Sequence, residues 1–197
     1  MNENLIFCFE ILKKCYSVII FLTIKKLEVI IFVMLVLGID PGYGIVGYGL
    51  VKSSSYGMFE AVDFGVVTTP KDDSITKRLE TIYDAINFLI EKYKPDYISI
   101  EELFFNTNQT TGIKVAQARG VILLSGIKHN VPMYEYTPLQ IKQALTGFGR
   151  AEKKQMQLVV QSILGLEKIP RPDDAADALA VAICHLQTNN LINDNKI

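Results

Sequence analysis

The stretch that decides the fold is LVLGIDPGYG, residues 35–44. Its first five residues are apolar or glycine, which is typical of a buried strand, and Pro41-Gly42 ends that strand in a turn. Asp40 is therefore predicted to stand at the end of a buried strand. Because aspartate before Pro-Gly is also a common turn residue, this stretch alone leaves both a ligand and a turn-former open.

A second short apolar strand, residues 97–101 (YISIE), also ends in a carboxylate. Strand alternation places Tyr97, Ser99 and Glu101 on one face and Ile98 and Ile100 on the other. Glu101 is thus a second candidate ligand at a strand end, and a solvated strand end is the alternative.

A third acidic motif lies in the helical pattern DDAADALAVAICH, residues 173–185. Asp174 and Asp177 are three residues apart and share a helix face, where two like charges repel unless a cation lies between them. Helix capping and the helix dipole would explain Asp174 but not Asp177. Asp173 is a rival for the role of Asp174, because it lies four residues before Asp177 on the same face.

Carboxylates from two strand ends and one helix face are predicted to converge on one point. Carboxylate oxygens are the protein ligands of Mg²⁺, often together with substrate phosphates. Two such ions can stabilise the attacking and leaving oxygens of a phosphodiester. The pattern therefore favours a metal-dependent nuclease.

The remaining segments predict one α/β domain whose mixed sheet carries helices on both faces. Residues 45–52 and 58–67, joined by SSSYG, are expected to form an antiparallel meander with the first strand. The helix at 110–130 is expected to turn Ile113, Ala116, Val121 and Leu124 inward. Further segments are a strand at 133–136 and helices at 74–93, from 137 to about 147, at 151–164 and from 173 or 174 to about 186.

Composition narrows the function class. The 197 residues carry a net charge of −1, so no global field indicates nucleic acid. Residues 140–171 contain six basic and two acidic residues, a surplus that suits either a phosphate-binding surface or a solvated face. The three cysteines form no CxxC pair, which argues against a disulfide framework or a zinc site and indicates a reducing cytoplasm.

Residues 1–33 are strongly apolar but are interrupted by two lysine pairs. Their apolar runs are too short to span a bilayer, and the order of a signal peptide is missing. Met34 is expected to be the true start, with residues 1–33 a start-site artefact; the alternative is a membrane-surface or partner-binding arm. The domain is expected at 34–188, followed by a flexible tail at 189–197.

Five motifs follow one another along the chain: LGIDPGYGIVGYG (37–49), DYISIEELFF (96–105), AQARGVIL (116–123), YTPLQIKQALTGFGRAEKKQ (136–155) and DAADALAVAICH (174–185). In this order they resemble the RuvC family of Holliday junction resolvases, from about residue 34 to 187. The resemblance implies a ribonuclease H-like fold with a five-stranded sheet, a homodimer, and two Mg²⁺ per subunit, with Mn²⁺ as a substitute. It also implies paired symmetric nicks in a four-way DNA junction that leave 5′-phosphate ends, a place in recombination and repair, and branch-migration proteins as partners.

Carried over by motif, the catalytic and metal-binding residues are Asp40, Glu101, Asp174 and Asp177, and the resemblance selects Asp174 over Asp173. The DNA-binding positions are Lys142, Lys153 and Phe104, an aromatic that the family is thought to place at the junction centre. A core position remains the alternative for Phe104. The helix at 110–130 is either the dimer interface or a layer packed on the sheet.

Two other classes of protein share part of this pattern. An ATP-handling domain of the actin and sugar-kinase type opens with a similar strand, aspartate and glycine turn, but it needs a second phosphate loop and a second domain. A catalytically silent junction-binding protein would not need four retained carboxylates.

Overall fold

The computed structural model describes residues 18–24, 27–54, 57–103, 109–188 and 195–197. Within these ranges the strands are β1 (Val18–Ile24), β2 (Leu27–Val33), β3 (Leu35–Asp40), β4 (Ile45–Ser53), β5 (Phe59–Thr68), β6 (Tyr97–Glu101) and β7 (Met133–Tyr136). The helices are α1 (Ile75–Tyr93), α2 (Gln109–Lys128), α3 (Pro138–Thr146), α4 (Lys153–Ile163) and α5 (Asp173–Thr188).

Five of the described strands form one mixed sheet in the order β5-β4-β3-β6-β7. The strands β3, β4 and β5 pair antiparallel in sequence order, which confirms the predicted meander. The strands β6 and β7 extend the sheet on the other side of β3 in parallel pairings. β3 is therefore central, and the predicted mixed sheet is confirmed. The strands β1 and β2 pair only with each other, in a separate antiparallel sheet.

Each face of the sheet carries its own core. Val36 packs with α3, α4 and α5, whereas its neighbours Leu37 and Ile39 pack with α1 and α2. This separation follows from the two-residue period of β3, which sends successive side chains to opposite faces. Helices on both faces are therefore confirmed. Asp40 lies four residues after Val36 and therefore on the same face of β3, which α5 covers.

Helix α5 lies directly on β3 and β4 because glycines face it there. A Cβ atom on Gly38 would stand 2.1 Å from the carbonyl oxygen of Ala178, and one on Gly47 would stand 2.0 Å from that of Asp174. Real Cβ atoms do not approach backbone atoms so closely. Only glycine lets the helix backbone come this near the sheet.

Two helix starts follow the local sequence rules. Ser74 caps α1 by accepting a hydrogen bond from the Lys77 amide at 3.3 Å. Thr137 and Gln140 form a reciprocal capping box at the start of α3, with Pro138 in the first turn. The predicted starts of these helices are confirmed.

The predicted inner face of α2 is wrong at three of its four positions, whereas Val121 is partly buried and packs against the core as predicted. Ile113 is 60% exposed and Leu124 is 48% exposed, and Ala116 also faces solvent. The buried positions are Ala118 and Ile122, and Gly126 meets Met133 of β7. Because α2 carries apolar residues on more than one side, its periodicity did not identify the side that faces the sheet.

The last described residues return to the sheet. Lys196 forms a bridge with Tyr134, and the Ile197 amide donates to the Met133 carbonyl at 3.0 Å. Residues 189–194 of the predicted tail, residues 1–17 and Phe104 lie outside the described residues. In the ranges that the structure describes, none of the helices combines the length and the hydropathy that a membrane crossing requires.

Candidate active site

Asp40 and Glu101 stand side by side at one edge of the sheet. The strands β3 and β6 run parallel with Ile39 opposite Ile100, so the next residue of each strand is a carboxylate. Asp40 and Glu101 directly follow Ile39 and Ile100, which point to the opposite face of the sheet. Both carboxylates therefore point to the face covered by α5. The two strand-end carboxylates of the sequence prediction therefore share one edge and one face.

Helix α5 adds the second pair of carboxylates from above that face. Asp40 is paired with Gly47 across β3 and β4, and the backbone of Asp174 lies directly over Gly47. Asp177 follows one turn later on the same side of the helix. The close approach at the glycines thus places this helix face over Asp40.

Burial and neighbouring negative charge raise the pKa of Asp40 and Glu101. Burial is the main cause that raises the pKa of Asp40 to about 7, and the charges of Glu101, Asp177 and Asp174 add to it. Burial and the charge of Asp177 likewise raise the pKa of Glu101 to about 7. Burial also raises the pKa of Asp177. Such mutual repulsion marks a site that lacks positive charge, and buried clusters of this kind are characteristic of functional sites.

Two lysines supply part of the missing charge. The Lys153 amine lies 3.3 Å from Oδ2 of Asp177 and 3.5 Å from Oδ2 of Asp173. Lys142 lowers the pKa of Glu101, as Lys153 does. Both lysines line a cavity of about 250 Å³ that also contains Glu101 and Asp177. The two predicted DNA-binding lysines therefore stand at the rim of the carboxylate cluster.

The chemistry of this cluster fits a hard divalent cation. Its donors are carboxylate oxygens, which Mg²⁺ and Mn²⁺ prefer, and a cation would relieve the repulsion that raises the pKa of Asp40. With these side-chain orientations, no three acidic, histidine or cysteine residues of the described ranges surround a common point as ion ligands. Asp177 pairs with Lys153 instead.

Arg78 fixes the turn after Asp40, and no motif in the sequence singles it out. Arg78 is only 8% exposed, its Nε donates to the Thr69 hydroxyl at 2.8 Å, and its Nη2 donates to the Tyr43 carbonyl at 3.3 Å. Its guanidinium also stacks on the Tyr43 ring, 3.7 Å from the ring centre. The helical spacing does place Arg78 on the buried face of α1, because it lies four residues before the buried Ile82.

The similarity to known proteins covers the part of the chain that carries the sheet and the carboxylates. The sequence model of the family described as crossover junction endodeoxyribonuclease RuvC matches residues 36–185. The protein of that name from Clostridioides difficile is 52% identical over 158 residues, which cover 80% of this chain and 93% of the relative. The protein of that name from Petrotoga mobilis is 55% identical over 152 residues, which cover 77% of this chain and 93% of the relative.

A solved structure agrees with this match. The structure of RuvC from T. thermophilus in complex with a Holliday junction substrate superposes with a TM-score of 0.77 at 31% sequence identity. The alignment covers 83% of this chain and all of the other chain. Because the family model spans more than half of the sequence and the relatives are about 50% identical over most of it, this chain belongs to the RuvC family of crossover junction endodeoxyribonucleases.

Proposed function

We propose that this chain is a divalent-metal-dependent endonuclease that resolves four-way DNA junctions by paired nicks. The observation that carries the proposal is the convergence of Asp40, Glu101 and the α5 carboxylates at one edge of the sheet. The family membership gives the substrate class, since the relative with which the chain superposes was solved with a Holliday junction. Recombination and DNA repair are the processes that produce such junctions.

Each group at the site has a proposed role. Asp40, Glu101, Asp174 and Asp177 would hold two Mg²⁺ ions per subunit, with Mn²⁺ as a replacement. Bound divalent ions supply Lewis-acid polarisation of the scissile phosphate and an activated water. Cleavage on the 3′-oxygen side would leave 5′-phosphate and 3′-hydroxyl ends.

Lys142 and Lys153 are proposed to bind phosphates of the strand that enters the cavity. Their amines already lie among carboxylates whose negative charge they offset. The phosphodiester of a bound strand would compete with the carboxylates for the lysine amines. The metal ions that accompany it would compete with the amines for the carboxylates. The family assigns a further DNA contact to Phe104.

The exposed side of α2 supports the proposed homodimer. Ile113, Leu124 and Ile127 are between 48% and 62% exposed, and Gly120 has open space where a side chain would stand. These positions recur at intervals of three, four and seven residues and form one apolar stripe. A second copy of the same helix would bury the stripe in a two-fold interface, which would present two equivalent sites to two equivalent strands.

Sedimentation velocity would test the dimer. A chain with Leu124→Glu and Ile127→Glu is expected to sediment as a monomer, because both charges would enter the interface. Phe88→Glu is the matched control, because Phe88 is an exposed residue of α1. A dimer that survives both α2 changes would refute this interface.

The proposed nuclease unit is residues 34–188, acting in the cytoplasm with branch-migration proteins. Residues 36–185 match the family, and the residues before 34 lie outside that match. Intact-mass measurement of the native protein would test the start at Met34, and a mass that includes residues 1–33 would refute it.

The decisive experiment is cleavage of a synthetic four-way junction with and without Mg²⁺. Symmetric nicks in two opposed strands are expected with the ion, and intact DNA is expected with a chelator. A linear duplex of the same sequence should remain uncut. Equal cleavage of duplex and junction, or cleavage in chelator, would overturn the proposal.

A further inference from the structure

Two large apolar side chains are exposed on α3 and on the turn that follows it. Leu139 is 63% exposed and Phe148 is 61% exposed. Leu139 follows Pro138 and lies one helical turn before Lys142, and both of these neighbours line the cavity. We call Leu139 and Phe148 the apolar lip.

Leu139 lies against the residue that follows Phe148. A Cβ atom on Gly149 would stand 2.4 Å from the Cδ1 atom of Leu139, so Leu139 covers the backbone next to Phe148. Single exposed apolar residues are common and need no explanation. Two exposed apolar residues joined through Gly149 are a candidate contact surface.

The turn that carries Phe148 is fixed by hydrogen bonds. The Phe148 amide donates to the Thr146 hydroxyl at 3.1 Å, and that hydroxyl lies 2.8 Å from the Phe148 carbonyl. The Gln143 amide side chain donates to the Gly147 carbonyl at 2.9 Å, and Gly147 adopts a left-handed φ of 69°. The ring therefore stands on an ordered backbone, so that binding through it costs little conformational entropy.

The charges around the lip indicate what covers it. The charged residues between positions 139 and 150 are Lys142 and Arg150, both positive. Glu152 caps α4, and Lys153 and Lys154 follow on its first turn, so that residues 139–154 carry four positive charges and one negative charge. An aromatic ring among cations suits a nucleic acid strand, whose phosphates contact the cations while a base lies on the ring.

We propose that Phe148 stacks on an unpaired base of the junction strand that enters the catalytic cavity, and that Leu139 packs beside the same nucleotide. The proposal deepens the proposed function and rests on it. The stacked base positions the strand, and neither residue takes part in the chemistry. Phe148 is separate from Phe104, which precedes α2 and is the aromatic that the family resemblance marks.

The test uses junctions that carry 2-aminopurine at single positions near the cut, bound to the Asp40→Asn protein so that no strand is cleaved. Stacking quenches 2-aminopurine fluorescence, so one position is expected to be quenched on binding. Phe148→Leu should abolish that quenching, since leucine keeps the apolar surface but has no aromatic face. Phe148→Tyr should retain it.

Affinity gives a second readout. Base stacking on an aromatic side chain contributes enough that Phe148→Ala should weaken junction binding by roughly tenfold. Phe88→Ala is the matched control, because Phe88 is 60% exposed but lies on α1, across the sheet from α3. It should bind the junction as the parent protein does.

The outcomes separate the two proposals. Unchanged quenching in Phe148→Leu, or unchanged affinity in Phe148→Ala while cleavage persists, would overturn the stacking role and leave the nuclease intact. A parent protein that binds no junction would overturn both proposals.

Discussion

The amine of Lys153 lies 3.3 Å from the Oδ2 atom of Asp177, within the carboxylate cluster that is proposed to hold metal ions. The protein thus provides its own cation at this point. Because Lys153 lowers the pKa of Asp40, Glu101 and Asp177 alike, its charge acts on most of the cluster. A divalent ion entering the site must compete with that amine.

Replacing Lys153 is therefore predicted to strengthen metal binding by the DNA-free protein. In Lys153→Gln the ion no longer competes with a fixed positive charge, so the dissociation constant for Mn²⁺, measured by calorimetry, should fall severalfold. Junction binding by the same variant should weaken, because a phosphate contact is lost.

Lys154→Gln is the matched control, since Lys154 is the exposed neighbour with the same charge. Its affinity for Mn²⁺ should equal that of the parent protein. Equal affinities in all three proteins would show that the Lys153 amine does not compete with the ion.

Asp40→Asn is predicted to abolish cleavage while junction binding persists. The charges of Glu101, Asp177 and Asp174 all act on Asp40, so its loss would remove the ligand that we propose both ions share. Gel-shift binding and single-turnover cleavage of one labelled junction would separate the two effects. Cleavage near the parent rate would refute the role of Asp40.

Asp174→Asn and Asp173→Asn form a matched pair at the start of α5. The first should lose cleavage. The second should retain it, because Asp173 belongs to an exposed ion pair with Arg171, and exposed pairs contribute little. The reverse result would exchange the roles that the sequence resemblance assigned.

Asp40→Asn is also predicted to stabilise the metal-free fold at high pH. The pKa of Asp40 is about 7 in the folded chain against an ordinary 3.8, so the native state binds the proton more tightly than the unfolded state does. The free energy of unfolding therefore falls as pH rises from about 4 through about 7. Because asparagine carries no charge, this fall in the free energy of unfolding does not occur in the variant.

Urea unfolding in chelator would measure the difference between the two proteins. It should be small near pH 4 and reach on the order of a few kcal/mol in favour of the variant at pH 8. Added Mg²⁺ should reduce the difference by stabilising the parent chain. A difference that does not change with pH would contradict the raised pKa of Asp40.

Lys142→Ala is predicted to weaken junction binding and to lower its salt dependence. Removing one phosphate contact should reduce the slope of log affinity against log salt by about one. Lys168→Ala is the control, because Lys168 is exposed and follows the end of α4 that lies away from Lys153. Equal slopes for both variants would exclude Lys142 from the contact surface.

Gly38→Ala is predicted to damage fold and activity together. The added Cβ would stand 2.1 Å from the Ala178 carbonyl, so α5 must move away from β3. Overpacking of this kind typically costs about 1–3 kcal/mol. Thermal unfolding should report the loss of stability, and junction cleavage should fall because Asp174 and Asp177 move with the helix. Parent-like stability would show that α5 tolerates a wider separation.

The sequence predicted the carboxylate edge because its determinants are local. Asp40 and Glu101 each end an apolar strand, and the spacing of Asp174 and Asp177 fixes their shared helix face. Parallel pairing of β3 with β6 then brings the strand ends together without further information.

Features that depend on tertiary packing could not be predicted in the same way. The contact between Lys153 and Asp177 joins residues from two helices, and nothing in either helix's pattern fixes their distance. The inner face of α2 was misjudged because Ile113 and Leu124 are as apolar as the buried Ile122. Arg78 was overlooked because a charged residue on a buried face departs from the apolar pattern that identifies the helix.

Helix α5 follows the strands that carry Asp40 and Glu101 by more than 70 positions in the chain. During synthesis the strand-end carboxylates leave the ribosome first, and Asp174 and Asp177 leave it last among these four. The proposed cutting centre would be complete only when α5 docks onto the glycines of β3 and β4. We therefore expect a nascent or truncated chain that lacks this helix to carry two of the four proposed ligands and to cut no DNA.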